Sequence, residues 1–389
     1  MTNHLFKNRS MLKAPVRILF LTGALLFLIS TFPSCSGDYT SDNSNTDPYI
    51  EKLSDLFTEK IIMQQTISLS NDVFEPSIIE LTIEGNNFVV SDFAQKKLFL
   101  LSYDGEILSN AGGIGRGPGE FELITEMHIG SDNHVYVHDG ILKRITIYKV
   151  VDGEFILLDT KNYKNPDFYT LYRLFVTKYG IYGLYNESEG FYTPKNRFHL
   201  YLLDRDFNPV EKRLNFPGEQ RPPVNTAGFL LYSPHDYSNR YLWHQSDSMF
   251  YYTNNYDALI KGYNFKKEKS IVLFEASLPE RPSNDYYINA ADDAYDFASN
   301  RDYWSVLENL ETLPVLSGVW SDSTNIVLSI RPAPGDEIMM LYVDLEKEDI
   351  NYFMLPEGTG ASVLRQNIFY SIRMDKDGRN YLMITNLEP

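Results

Sequence analysis

From residue 78 onward, short runs of Val, Ile, Leu, Phe and Tyr alternate with clusters of Asn, Asp and Gly, a pattern of strands separated by tight turns. The first copy reads Phe88-Val89-Val90-Ser91-Asp92, then Lys96-Lys97-Leu98-Phe99-Leu100, then Asp104-Gly105. The same order returns as Tyr136-Val137-His138-Asp139, Lys143-Arg144-Ile145-Thr146-Ile147 and Asp152-Gly153. A third copy begins at Ile181 to Asn186 and resumes, after an insertion, from Phe198 to Asp206. Asp92, Asp139 and Asn186 are thus spaced by 47 residues. A period in the forties with several short strands per copy predicts a propeller blade, which buries its faces only against neighbouring blades.

Ahead of the first copy, Ile50, Leu53, Leu56, Phe57 and Ile61 have helical spacing, so residues 48–62 are expected to form a short helix or a loop. A strand follows over 62–69. After the third copy, blades are expected around residues 241–265, 317–354 and 362–386. Residues 278–314 differ, with helical spacing in 290–298 and 303–310, and read as an insertion. Setting it aside leaves about six blades at this period. The expected architecture is all-β, a six-bladed propeller of four-stranded antiparallel blades with a short, partly helical insertion. The last blade would close the ring on the strand over 62–69, removing an exposed sheet edge.

The N-terminus is a different kind of sequence. Lys7, Arg9, Lys13 and Arg17, without an acid, lead into an apolar run from Ile18 to Phe32, the layout of a secretory signal peptide. The run is shorter than the roughly 20 residues a spanning helix needs. It ends at Phe32-Pro33-Ser34-Cys35, which resembles the lipobox of bacterial lipoproteins, with Phe32 and Pro33 in place of the usual Leu and small residue. That resemblance implies lipidation of Cys35, the only cysteine. The alternative is a leftover thiol in a secreted protein; a lone cysteine has no internal disulfide to make. The organisation expected is a signal peptide over 1–34, a flexible acidic tether over 35–48 and a propeller over 49–389.

Loss of residues 1–34 would lower Lys+Arg from 35 to 31 against 52 Asp+Glu, a formal charge of −21. Such a surface opposes nucleic acid, whose affinity rests on cations at phosphates. The membrane is expected to be reached through lipid on Cys35, in the cell envelope and at the outer membrane.

The run Gly112-Gly113-Ile114-Gly115-Arg116-Gly117-Pro118-Gly119-Glu120-Phe121 resembles the connector between blades of NHL-type repeats. With Asp92, Asp104-Gly105 and Val135 to Asp139 around it, residues 78–160 resemble the six-bladed β-propeller lipoproteins of gut-type bacteria. That resemblance implies a propeller in the envelope and no defined reaction. A phosphate cradle would need a helix after the glycines, and a strand pattern follows instead.

No catalytic residue, metal set or cofactor is indicated. There is no G-x-S-x-G elbow. His134 and His138 in one strand would stand about 13 Å apart, and His128, His199, His235 and His244 are scattered. The repeated Asp92, Asp139 and Asn186 read as turn residues bonding nearby amides, or as a polar ring at the channel mouth. Arg116 and Arg144 are candidates on that rim. Aromatic residues crowd the fourth blade, Trp243 among them, and the insertion, with Tyr287, Tyr303 and Trp304. They suit sugar rings or peptide segments, against the plainer role of filling the space between blades. The leading expectation is a non-catalytic binding protein for a glycan, a peptide or an envelope protein; the alternative is a metal-dependent lyase or hydrolase with its site in the channel.

Overall fold

Runs such as Phe88-Val89-Val90 and Leu98-Phe99-Leu100 are apolar at every position rather than at alternate ones, which a strand tolerates only when both faces of its sheet are covered. The computed structural model shows how both are covered. It describes residues 47–387 apart from 61, 83–86, 167–168, 188–194, 221–222, 227–228, 233–238, 284–310, 332–336 and 357–359.

Six four-stranded antiparallel blades follow one another along the chain. Blade I comprises Pro76–Leu81, Asn87–Asp92, Lys97–Ser102 and Ile107–Gly112; blade II, Ile124–Ile129, His134–Asp139, Arg144–Val151 and Glu154–Asn162. Blade III is formed by Tyr169–Thr177, Gly180–Glu187, Lys195–Leu203 and Pro209–Gln220, and blade IV by Tyr241–Gln245, Met249–Asn254, Ala258–Asn264 and Lys269–Ala276. Between them lies a hairpin of Pro223–Thr226 and Phe229–Tyr232. Blade V contains Leu316–Ser321, Asn325–Ile330, Ile338–Asp344 and Asp349–Leu355, with Thr58–Glu59 added in parallel along its outer strand.

Blade VI is composite. Ser362–Arg365, Ile368–Met374 and Asn380–Asn386 supply three strands, and Met63–Ser68 pairs antiparallel with the last, from Met63 opposite Asn386 to Ser68 opposite Tyr381. The closure expected from the strand pattern is therefore present, and in the same residues. Neighbouring blades meet through their first strands, which surround the axis.

The core is divided into six wedges, one between each pair of blades. Val89, Leu98 and Leu100 meet Met127, Val137 and Tyr148 between I and II. Tyr136 and Tyr163 meet Tyr185 and Phe207 between II and III. Between III and IV the filling is aromatic: Phe175, Tyr182, Phe198 and Phe216 against Phe250, Tyr252 and Phe265. Val327, Met340 and Phe353 face Phe369 and Met383 between V and VI. Tyr370, Ile372 and Leu382 face Val90 and Phe99 between VI and I. Most of the aromatic excess in this sequence is thus wedge material, since blades splay outward and need bulk to fill the gap.

The wedge between IV and V carries a lid. The helix Pro48–Ser54 contributes Tyr49, Ile50 and Leu53 to the buried cluster that also holds Leu242, Tyr251 and Leu328. Asp47 caps it, its carboxylate accepting from the Tyr49 N–H at 2.8 Å, and Pro48 occupies the first turn, where the missing N–H costs nothing. Asp47 also makes a fully buried ion pair with Arg281 at 2.7 Å. The acidic stretch assigned to the tether therefore loses its last two residues to the folded domain, because a charge with a buried partner and an N-cap to fill is not left in solvent. Residues 35–46 lie outside the described ones. The insertion over 278–314 is drawn together at its base by a ribbon of Arg281–Pro282 with Thr312–Leu313. Its expected helices fall within 284–310, also outside the described residues.

Among the described residues no helix is long and apolar enough to cross a membrane.

Candidate functional site

The turn residues were the clearest repeat in the sequence, and their task is structural. Asp92 accepts from the N–H groups of Phe74 and Glu75, just before the first strand of its blade, and from Gln95 in the following turn. Asp139 does the same with Glu122, Ile141 and Leu142. Each carboxylate is fully buried and ties a turn to the entry of the innermost strand. Asn186 differs: it accepts from Asn196 across its own hairpin, at 2.8 Å. The polar ring at the channel mouth is not built from Asp92 and Asp139.

The glycine-rich connector leads into a strand, Ile124–Ile129. Gly112, at φ +94°, leaves no room for a side chain: a Cβ there would stand 2.9 Å from both the Lys96 carbonyl and the Phe121 ring. Arg144 holds this connector from beneath, donating to the carbonyls of Arg116, Gly117 and Glu120. Arg116 is exposed and paired with Glu122. The two arginines are neighbours, but Arg144 is buried and its terminal N–H groups are already engaged.

The polar groups that lack such duties are at the axis, on the first strands of blades I to V. Glu126 (blade II) forms an ion pair with Arg173 (blade III). Arg173 also lies over the ring of Trp243 (blade IV) at 5.0 Å, and Tyr172 packs edge-on against Trp243 at 5.7 Å. His128 (blade II) places Nδ1 3.9 Å from a carboxylate oxygen of Glu80 (blade I), too far for a hydrogen bond. His244 (blade IV) accepts at Nδ1 from the Ser321 N–H (blade V) at 3.1 Å, which puts its proton on Nε2. Burial first, then the positive field of Arg173 and of His128, lowers the His244 pKa to about 4.

Arg173 keeps 31% of its side chain accessible and Glu80 keeps 18%, although both lie on innermost strands. Burial pushes the Arg173 guanidinium down to about 10, with Glu80 acting in the opposite sense. His128 Nδ1 and Arg173 Nε are buried without a hydrogen-bond partner. Trp243, singled out from the aromatic run, is half-buried and packs against the aromatic wedge between blades III and IV. Tyr287, Tyr303 and Trp304 lie outside the described residues. The rest of the cluster was missed in sequence because Glu80, Glu126, His128, Arg173 and His244 are spread over 165 residues of chain. The usable signal was their position: each is charged or titratable within a first strand, where the wedges demand apolar side chains. Among the described residues, no group of three or more His, Cys, Asp and Glu side chains is placed to hold a metal ion.

A family profile described as a 6-bladed beta-propeller, DUF5128, matches residues 42–275. The chain belongs to this family. Solved propellers agree in fold: an exported protein of Bacteroides fragilis NCTC 9343 is similar with a TM-score of 0.55 at 12% identity, over 86% of this chain and 99% of that one. A duf4221 family member from Bacteroides vulgatus has a TM-score of 0.50 at 9% identity, over 85% and 98%. No curated protein matches.

One histidine of this propeller marks its stability rather than its site. His138 is sealed between blades II and III, bonded at Nδ1 to the Thr125 hydroxyl (2.9 Å) and at Nε2 to the Tyr163 hydroxyl (2.6 Å), and burial pushes its pKa down to about 3. The unfolded chain takes up a proton near pH 6.5 and the folded one does not, so stability is complete above pH 6.5 and declines as pH falls toward 3. Between pH 7 and 5, His138 is expected to cost about 2 kcal/mol. Urea midpoints at the two pH values check this; in His138→Phe the difference between them should shrink by that amount.

Proposed function

We propose that this chain is a lipid-anchored cell-envelope propeller with NHL-like blade connectors, exported by residues 1–34, held at the outer membrane by acyl chains on Cys35, and acting as a binding protein. The basic-then-apolar start, the small residue before Cys35 and the polar residues 36–46 support the anchor. The binding reading rests on the axial cluster. An apolar axis would hold the blades together at least as well as a charged one, and a partly satisfied buried network is costly unless something completes it. The arrangement of Glu80, Glu126, His128 and Arg173 on innermost strands, with Arg173 and Glu80 part-exposed, fits a ligand group that enters from one mouth. Trp243 offers an aromatic wall, and Arg116 with Tyr287, Tyr303 and Trp304 are the proposed outer contacts. The ligand is a glycan, a peptide or part of an envelope protein; acidic charge argues against nucleic acid.

The test is calorimetry of the mature protein against glycans and peptides, with Arg173→Lys as the diagnostic variant. Lys keeps the charge but not the planar fork, and affinity for a channel ligand should fall tenfold or more. An absence of binding across the panel, together with no partner on crosslinking in cells, would contradict the reading.

The second reading is a metal-dependent lyase or hydrolase with its site in the same channel. It is favoured by His244, a neutral imidazole held in one tautomer at the axis. Zinc or calcium at stoichiometric levels in purified protein would move this reading ahead of the first.

A further inference from the structure

Where strands are joined, exposed large apolar side chains gather at one end of the propeller, the end at which each first strand begins and each second strand stops. There Phe74 is 71% exposed, Ile114 74%, Ile141 55% and Met374 44%. Among the described residues, the turns between strands at the opposite end expose one such side chain, Tyr103, at 37%. Hydrogen bonds run from one of the four to the next across three consecutive blades. Asn380, opposite Met374 in blade VI, donates to the Phe74 carbonyl at 3.0 Å. The Glu75 carbonyl accepts from the Phe93 N–H, and the Lys96 carbonyl in the same turn of blade I accepts from Gly113, beside Ile114. Asp139 then ties the end of that connector, at Glu122, to Ile141. Asp47 is at this end too, since its partner Arg281 donates to the carbonyl of Arg331, just past the second strand of blade V.

We propose that this end of the propeller rests on the lipid bilayer, with Phe74, Ile114, Ile141 and Met374 inserted at the level of the headgroups. This rests on the Cys35 anchor proposed above and adds how the domain is turned on it. Asp47 follows Cys35 by 12 residues. A flexible polar chain of that length spans roughly 20 Å. The end that carries Asp47 is therefore kept close to the surface, where weak apolar contacts count for more than they would free in solution. Exposed Phe, Ile and Met side chains gain by leaving water for the headgroup boundary. On the same connections, exposed Arg116, Lys143, Lys376 and Arg379 are interspersed with Glu120 and Asp377. With both signs present, the contact is apolar and insensitive to salt. A specific protein interface is built around a continuous apolar centre. Apolar tips on separate connections, divided by charged residues, suit a fluid phase that closes around each one.

The test uses the mature protein from Cys35 onward, its single thiol coupled to a maleimide lipid in vesicles of phosphatidylethanolamine and phosphatidylglycerol. Ile114→Trp and Ile141→Trp report the proposed contact, Tyr103→Trp the opposite end, and Leu158→Trp the flank, where an outer strand exposes Leu158 at 47%. Quenching by lipid brominated on its acyl chains is taken as the difference from the unsubstituted protein. It should be about threefold greater at 114 and 141 than at 103 and 158, and should persist at high salt. Equal quenching at all four positions, or stronger quenching at 103 or 158, would overturn the proposal, as would quenching abolished by salt. A photocrosslinker at position 114 that captures an envelope protein in cells, with no quenching in vesicles, would assign this end to a protein partner instead. Acylation is read separately, from the mass of the protein extracted from cells. An unmodified Cys35 overturns the anchor and this proposal together, whereas an acylated Cys35 without quenching at 114 and 141 overturns the orientation alone.

Discussion

A chain shortened to begin at Leu69 is expected to aggregate, whereas one beginning at Asp47 should fold like the whole protein. The difference is 22 residues that contain both the closing strand and the wedge lid. Met63–Ser68 is the outer strand of blade VI and runs on through residues 69–75 into the innermost strand of blade I. It is the only covalent link carrying the chain from the last blade back to the first. Without it, Asn380–Asn386 becomes an unpaired edge, and the helix that adds Tyr49, Ile50 and Leu53 to the core between blades IV and V is gone as well. Gel filtration and far-ultraviolet circular dichroism of the two truncations separate the outcomes. A monomeric, cooperatively unfolding chain from Leu69 would show that the ring holds without its clasp.

Asp47→Ala should be the most damaging single change at a charged residue, lowering stability by about 3–5 kcal/mol. The Asp47 and Arg281 side chains are almost wholly buried, and removing the carboxylate leaves a guanidinium in the interior and an N-terminal turn without its cap. Arg281 also lies over the Tyr49 ring, and the Tyr49 hydroxyl donates to the Pro279 carbonyl at 2.7 Å, so the helix, the base of the insertion and blade V loosen together. Asp206→Ala is the control. Asp206 pairs with Lys161 at a similar 3.0 Å but is largely exposed, and its loss should change stability by less than about 0.5 kcal/mol. Urea unfolding of the three proteins at pH 7 gives both comparisons. Equal effects of the two substitutions would mean that burial does not govern these pairs.

The sequence disclosed the fold through its punctuation. Asp92 and Asp139 recur because blades I and II each use a carboxylate to satisfy backbone amides in a turn and ahead of the innermost strand, a task Asn186 does not share in blade III. The connector at 112–121 was legible because only glycine fits at Gly112, where a Cβ would stand 2.9 Å from the Phe121 ring. Asp47 was misread because local composition says nothing about a partner 234 residues away. The channel groups failed to stand out for the opposite reason: Glu80 and His128 look like ordinary polar positions in edge strands, and only ring closure brings blades I to V around one axis. Trp243 was noticed for its ring and not for its place beneath Arg173.

The most direct test of the channel account is a crystal structure of the mature domain grown with whichever probe binds in calorimetry. The account predicts the probe on the axis, among Glu80, His128, Arg173 and Trp243. A probe seated instead on the outer strands of a blade or against residues 284–310, with the axial groups untouched, would contradict it.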